Sequence, residues 1–156
     1  MLFAEYAARW RESLRGIATA EDYGAVVEAG RTYPLLSAAG GAAGGPVVVV
    51  TAGFHGDEKA GPLTLLDQAG ALCDYARERG VALRLYPCLN PSGFEAHTRY
   101  NVSGERPNND FLRYELTPGV WRGELREDET PLSWKAYDGG PKETVAIARE
   151  LARHAE

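Results

Sequence analysis

The chain has few of the residues that mark several common protein classes. Its 156 residues include only two cysteines, Cys73 and Cys88, which are too few for a disulfide framework and lack CxxC spacing. Charged residues interrupt the N-terminus, and no run approaches the roughly 18 apolar residues of a membrane-spanning helix. Lysine and arginine number 17 against 22 aspartates and glutamates, a net charge of -5, which argues against nucleic-acid and anionic-membrane partners. We therefore expect a cytoplasmic protein that acts on small molecules or peptides.

The hydrophobic pattern predicts a single domain, residues 1–156, in which strands and helices alternate. Val47–Thr51 is an apolar run without polar alternation, typical of a strand covered on both faces. Apolar residues then recur at helical spacing over 61–80, and a second buried strand follows over 81–91. A strand, a helix and a strand in this order form a crossover unit of a parallel sheet.

The remaining predicted elements are a helix over 2–16, a strand hairpin over 23–38, mostly irregular chain over 91–142 and a final helix from Pro141. Together these elements predict an α/β fold with a mixed, largely parallel central sheet and helices on both faces. Polar loops at the carboxyl ends of the two buried strands lie on one rim of such a sheet, where ligands bind.

The first of these loops carries His55 and, three residues later, Glu58. Gly56 lies between them and permits a tight turn. An imidazole nitrogen and a carboxylate on the same side of a turn can bind one Zn²⁺, and a third protein ligand would leave a position for water. The pattern is short, and the alternative is a loop histidine that hydrogen-bonds to a neighbour.

The second loop carries Arg99 and Asn108, whose side chains are suited to hold a substrate oxygen and a carboxylate. An arginine beside a metal site can stabilise the oxyanion that forms when a carbonyl is attacked. A solvated surface arginine is the alternative interpretation.

Four stretches, "TAGFHGDEKAGP", "LNPSGF", "TRYN" and "PNNDF", together resemble the zinc metallocarboxypeptidases, including their succinylglutamate desuccinylase and aspartoacylase branch. The resemblance covers roughly residues 25–155 and implies a zinc carboxypeptidase-like fold. It also implies hydrolysis of an amide bond in a peptide or N-acyl amino acid by a zinc-activated water.

The resemblance assigns roles to individual residues. His55 and Glu58 are similar to two ligands of a single zinc ion, and Arg99 to the arginine that polarises the scissile carbonyl and contacts substrate. Asn108 is similar to an asparagine that holds the substrate's carboxylate. Asn109 stands where the family has an arginine that grips a terminal carboxylate, which favours a less anionic substrate.

Two parts of the family's site have no clear counterpart. The third zinc ligand is a histidine on a later strand, whereas His154 lies in the predicted final helix, and the general-base glutamate lies later still. We therefore expect a chain that lacks the C-terminal part of the catalytic domain, with a noncatalytic pseudoenzyme or binding module as the alternative. A missing strand would expose a sheet edge, so homo-oligomerisation is a further expectation.

Overall fold

The computed structural model describes residues 1–154, which contain four helices and seven strands. The helices are α1 (Phe3–Ser13), α2 (Ala60–Glu78), α3 (Pro91–Ala96) and α4 (Lys142–Ala152). The strands are β1 (Thr19–Glu28), β2 (Arg31–Gly41), β3 (Val47–Thr51), β4 (Ala82–Tyr86), β5 (Leu112–Thr117), β6 (Val120–Arg122) and β7 (Ser133–Ala136). None of the helices in residues 1–154 has the length and apolar character needed to cross a membrane.

The central sheet has the strand order β1-β2-β4-β3. β3 and β4 are parallel, with α2 between them in sequence, as the strand–helix–strand pattern predicts. β1 and β2 form an antiparallel hairpin, and β2 also pairs antiparallel with β4. The predicted mixed α/β fold is confirmed, but within residues 1–154 the parallel pairing is limited to β3 and β4, because the hairpin adds two antiparallel pairings.

Helices cover the sheet on both faces. Side chains alternate along β4, so this strand contributes residues to both helix-covered faces. Leu83 and Leu85 are buried in the core that α1 and α2 complete. Tyr86 points to the opposite face, where it packs with Ile147 of α4. The predicted helices on both faces are therefore confirmed.

β3 differs from its prediction in one respect. Val47, Val48 and Val49 are 49%, 45% and 41% exposed, so this strand is not covered on both faces. The reason is its position: within the part of the chain that the structure describes, β3 pairs only with β4 and forms an edge of the sheet.

The prediction of mostly irregular chain over 91–142 is also wrong in part. Residues 91–96 form α3, and three short strands form a separate sheet in the order β6-β5-β7. Their pairings are antiparallel, for example Tyr114 opposite Trp134. This small sheet follows directly after the Asn108–Phe111 segment, so it belongs to the surroundings of the predicted site.

Candidate metal centre

The loop that carries His55 and Glu58 begins where β3 ends, at the carboxyl edge of the parallel pair. Backbone hydrogen bonds continue past the strands and join this loop to the segment after β4. Leu89 donates to the carbonyl of Ala52 at 3.0 Å, and Asn90 donates to that of Gly53 at 2.8 Å. Gly53 has a φ of +71°, a backbone conformation that favours glycine. The two loops are thus fixed side by side, as the sequence predicts for one rim of the sheet.

His55 and Glu58 point towards each other across the turn. Glu58 donates its N–H to the carbonyl of His55 at 3.3 Å, and the His55 Nδ1 lies 2.9 Å from the Glu58 Oε1. The His55 side chain is largely buried at 15% exposure, while that of Glu58 is 62% exposed. The turn therefore orients an imidazole nitrogen and a carboxylate oxygen towards one point that solvent reaches.

Arg99 joins this pair from the second loop. Its Nη1 lies 3.2 Å from the Glu58 Oε1, the same oxygen that faces His55, and its side chain is 52% exposed. The Arg99 carbonyl accepts hydrogen bonds from the N–H of Gly56 at 3.3 Å and from the Nδ2 of Asn90 at 3.4 Å. A guanidinium is thereby positioned beside the two predicted metal ligands.

α3 lies beneath both loops, and Asn90 forms its N-terminal cap. The Asn90 Oδ1 accepts the N–H of Gly93 at 2.9 Å, and Pro91 begins the helix, a common first residue. Asn90 has no predicted role in the site, although an asparagine before a proline is a helix-start signal.

Gly56 allows α3 to pack closely against the metal-ligand loop, residues 52–59, and Gly93 leaves room for the Asn90 side chain. A Cβ on Gly56 would lie 2.0 Å from the carbonyl carbon of Gly93, and a Cβ on Gly93 would lie 2.5 Å from the Asn90 Nδ2. Distances below 3.0 Å are not found for real Cβ atoms. Glycine is therefore required at both positions by space rather than by backbone dihedral angle.

Asn108 and Asn109 line a cavity of about 240 Å³ rather than contacting the three residues above. Its other walls are Asp110, Phe111, Leu112, Tyr114, Gly123 and Glu124. Within residues 1–154, neither asparagine side chain hydrogen-bonds to His55, Glu58 or Arg99. The connection runs through Phe111, whose ring packs edge-on against that of Phe54 with centroids 6.1 Å apart.

Arg113 follows closely after Asn109, where the resemblance would place an arginine, but its contacts are already satisfied. Its Nη1 pairs with the Asp110 Oδ1 at 2.9 Å, and its guanidinium lies 3.7 Å above the Tyr137 ring. Asp110 itself has a φ of +61°. Arg113 is thus held in an ion pair and a stacking contact that would have to break before it could bind a substrate carboxylate.

Apart from His55 and Glu58, three carboxylates form an acidic cluster between the end of β1, the loop after α3 and the start of α4. Glu28, Glu105 and Glu143 bring oxygens within 4.8 Å of one another. Hydrogen bonds from protein groups already reach them: Lys142 donates to Glu28 at 3.1 Å, and Asn101 donates to Glu105 and Glu143. These hydrogen bonds make the cluster an internal network, and burial raises the pKa of the Glu143 carboxyl above its ordinary value.

His55 and Glu58 suit zinc in the kind of atom they offer, since imidazole nitrogen and carboxylate oxygen are both common zinc ligands. Within residues 1–154, no other histidine, cysteine or acidic residue brings a ligand atom close to both His55 and Glu58. Cys88 lies behind Gly53, but burial raises the pKa of its thiol to about 12. His154 is elsewhere, with its Nε2 3.2 Å from Glu150. The described residues therefore offer two candidate ligands for such a site.

The described fold is similar to that of solved metallopeptidases and metallocarboxypeptidases. The chain is similar to the crystal structure of a metallopeptidase candidate from Shewanella amazonensis, with a TM-score of 0.63 and 25% identity over 97% of this chain and 49% of that one. A metallopeptidase candidate from Shewanella denitrificans is 30% identical, with a TM-score of 0.58 over 69% of this chain and 40% of that one.

More distant structures share the fold alone. A metallo-carboxypeptidase from Burkholderia cenocepacia gives a TM-score of 0.61 at 17% identity, over 97% of this chain and 37% of that one. No protein-family model matches the chain, and no curated protein matches it. The chain spans about half or less of the length of these solved structures. The desuccinylase branch of the resemblance stays a prediction.

Proposed function

We propose that the protein is a zinc-dependent hydrolase of the carboxypeptidase type, which cleaves an amide bond in a peptide or an N-acyl amino acid. The observation that carries the proposal is the meeting of three side chains at the carboxyl end of β3. The His55 nitrogen faces the Glu58 carboxylate at 2.9 Å, and the Arg99 guanidinium reaches the same carboxylate oxygen at 3.2 Å. The names of the similar structures support the same class.

His55 and Glu58 would hold the zinc ion together with a ligand from outside the residues described. A zinc ion bound there would lower the pKa of a water molecule towards neutrality and polarise the substrate carbonyl. Burial of most of the His55 side chain restricts the orientation of the imidazole. The Nδ1 atom therefore stays directed at the solvent-facing side of the turn.

Arg99 would bind the oxygen of the scissile carbonyl. As negative charge develops on that oxygen during attack, the guanidinium can donate charge-assisted hydrogen bonds to it. Arg99 is half-exposed and anchored through its backbone carbonyl, so its side chain can turn from Glu58 to a substrate without movement of the loop.

Asn108 and Asn109 would bind the part of the substrate on the far side of Phe111. Amide groups can donate to and accept from a neutral or charged group, but they do not offer the fixed positive charge of an arginine. The Arg113 guanidinium is already paired with the Asp110 carboxylate. The cavity therefore favours a substrate whose end group carries less negative charge than a free carboxylate.

The experiment that tests the proposal is zinc binding by calorimetry, together with hydrolysis of a panel of peptides and N-acyl amino acids. We expect zinc binding in the unmodified protein and its loss in His55→Ala. The matched control is His97→Asn, because His97 is an exposed histidine with a φ of +58°, which asparagine tolerates. Zinc binding that is absent from the unmodified protein, or equal in both variants, would refute the proposal.

A further inference from the structure

We infer that Asn90 is a positioning residue that sets the distance between the metal-ligand loop and Arg99. The catalytic meaning of this inference rests on the proposed function. The physical link between the two loops does not, and it can be measured without metal or substrate.

The link is made by a single side-chain amide. The Asn90 Nδ2 donates one hydrogen bond to the carbonyl of Phe54 at 3.2 Å and another to that of Arg99 at 3.4 Å. Phe54 directly precedes His55, so the two acceptors belong to the metal-ligand loop and to the residue that would bind the carbonyl. Both donors of one NH2 group are thus used to join the two loops.

The orientation of this amide is fixed by its partners. Its Oδ1 faces the N–H of Gly93, which only an acceptor can satisfy, and its Nδ2 faces two carbonyl oxygens, which only a donor can satisfy. Asn90 is fully buried at 0% exposure, so water does not replace a lost partner. A rotation of the amide would leave oxygen against oxygen twice.

Two other contacts join the same loops. The side chains of Arg99 and Glu58 meet at 3.2 Å, but this is an exposed ion pair between long side chains, a class of contact that contributes little. The N–H of Gly56 donates to the Arg99 carbonyl at 3.3 Å, the same oxygen that the Asn90 amide binds. Asn90 is therefore the side chain that restrains the position of Arg99, together with this backbone hydrogen bond.

The test uses Asn90→Ser, which keeps an oxygen that can cap α3 but is too short to reach the two carbonyls. Asn90→Asp serves as a second variant, because it keeps the size and the cap but cannot donate to both carbonyls: a carboxylate donates to neither, and a protonated carboxyl donates to one at most. The matched control is Ser92→Ala. Ser92 is equally buried in α3 and accepts the N–H of Val102 at 3.2 Å, but it does not touch the metal-ligand loop.

The measurement is amide hydrogen exchange by NMR in the metal-free protein. We expect the Gly56 N–H to exchange faster in Asn90→Ser and Asn90→Asp. The N–H of Phe94, which bonds to the backbone carbonyl of Asn90 at 2.9 Å, should keep its protection. Ser92→Ala should leave both unchanged. Equal acceleration at Gly56 and Phe94, acceleration at neither, or the same change at Gly56 in Ser92→Ala would each overturn the inference.

A second readout is zinc affinity, which we expect to fall about 10- to 100-fold in Asn90→Ser, as is typical when a group that orients metal ligands is removed. Unchanged affinity would overturn the inference for a protein that binds zinc. If the unmodified protein binds no zinc, the proposed function fails, and hydrogen exchange alone still decides whether Asn90 couples the loops.

Discussion

The backbones of Gly56 and Gly93 lie so close that a Cβ on Gly56 would come within 2.0 Å of the carbonyl carbon of Gly93. We therefore expect Gly56→Ala to lower the free energy of unfolding by about 1–3 kcal/mol, the usual range for overpacking. The matched control is Gly24→Ala, where the new Cβ would stand 3.6 Å from the Leu35 side chain, an ordinary contact. Chemical denaturation of both variants checks this, and equal stability in the two would contradict it.

Arg99→Ala should lower turnover without weakening metal binding. Its guanidinium lies against Glu58, so its removal takes away a positive charge beside the proposed zinc site, and zinc should bind no more weakly than before. Hydrolysis should fall roughly 100- to 1,000-fold, because a donor to the developing oxyanion is lost. Calorimetry and steady-state kinetics measure the two effects.

Arg106→Ala is the control for this variant, because Arg106 belongs to the same loop but stacks on Tyr100 at 5.2 Å. It should leave turnover largely unchanged. Parallel losses of zinc binding and turnover in Arg99→Ala would instead indicate that Arg99 supports the fold of the loop.

Glu143→Gln should stabilise the protein at neutral pH and not at acidic pH. Burial raises the pKa of the Glu143 carboxyl, so the folded state binds its proton more tightly than the unfolded state does. The stability that this proton contributes is fully present below the unfolded pKa and is lost as the pH rises through the folded pKa. Glutamine does not ionise and therefore avoids that loss.

The measurement is the Tm of both proteins at roughly pH 4 and pH 7.5, just below and well above the ordinary glutamate pKa of about 4.3. We expect the advantage of Glu143→Gln to appear at the higher pH and to shrink at the lower one. Glu127→Gln, in an exposed loop, is the control and should show no such trend. A constant difference between the two pH values would contradict the prediction.

The self-association that an exposed edge strand predicts should be weaker in Val48→Lys. Val48 is 45% exposed on β3, an edge strand whose backbone can pair with another chain, and lysine on an edge strand opposes such pairing. Val102→Lys is the control, because Val102 is 41% exposed but lies in a loop. Light scattering across a concentration series should show a smaller apparent mass for Val48→Lys only.

The strand–helix–strand unit and the rim loops could be predicted from the sequence because their signals are local. The apolar run Val47–Thr51 and the helical spacing after Gly61 each identify an element from adjacent residues. The exposure of β3 could not be predicted in the same way. Four consecutive valines are compatible with a buried strand and with an edge strand, and only the neighbours in space distinguish them.

The small sheet was missed because its strands are short. β5 reads LRYELT, in which apolar or aromatic residues alternate with polar ones, but its partners β6 and β7 have only 3 and 4 residues and carry no pattern of their own. Contacts between distant residues support it instead, such as the Arg113 guanidinium above Tyr137 and Lys135 above Trp121. These contacts involve residues whose pairing no local pattern indicates.

The convergence of His55 and Glu58 could be anticipated from their spacing and from Gly56, whereas the part played by Asn90 could not. Its cap on α3 is encoded within three residues, but its other two partners lie 36 and 9 residues away. A helix-start signal thus concealed a long-range contact.

The amide of Asn90 joins three stretches of chain: the loop after β3, the start of α3 and the segment around Arg99. Substitutions in these stretches should therefore be epistatic, with double variants that depart from the sum of their single effects. A substitution in one of the three stretches should be tolerated best when compensating changes arise in the other two. We therefore expect the three stretches to vary together in evolution and to be transplanted together in protein engineering.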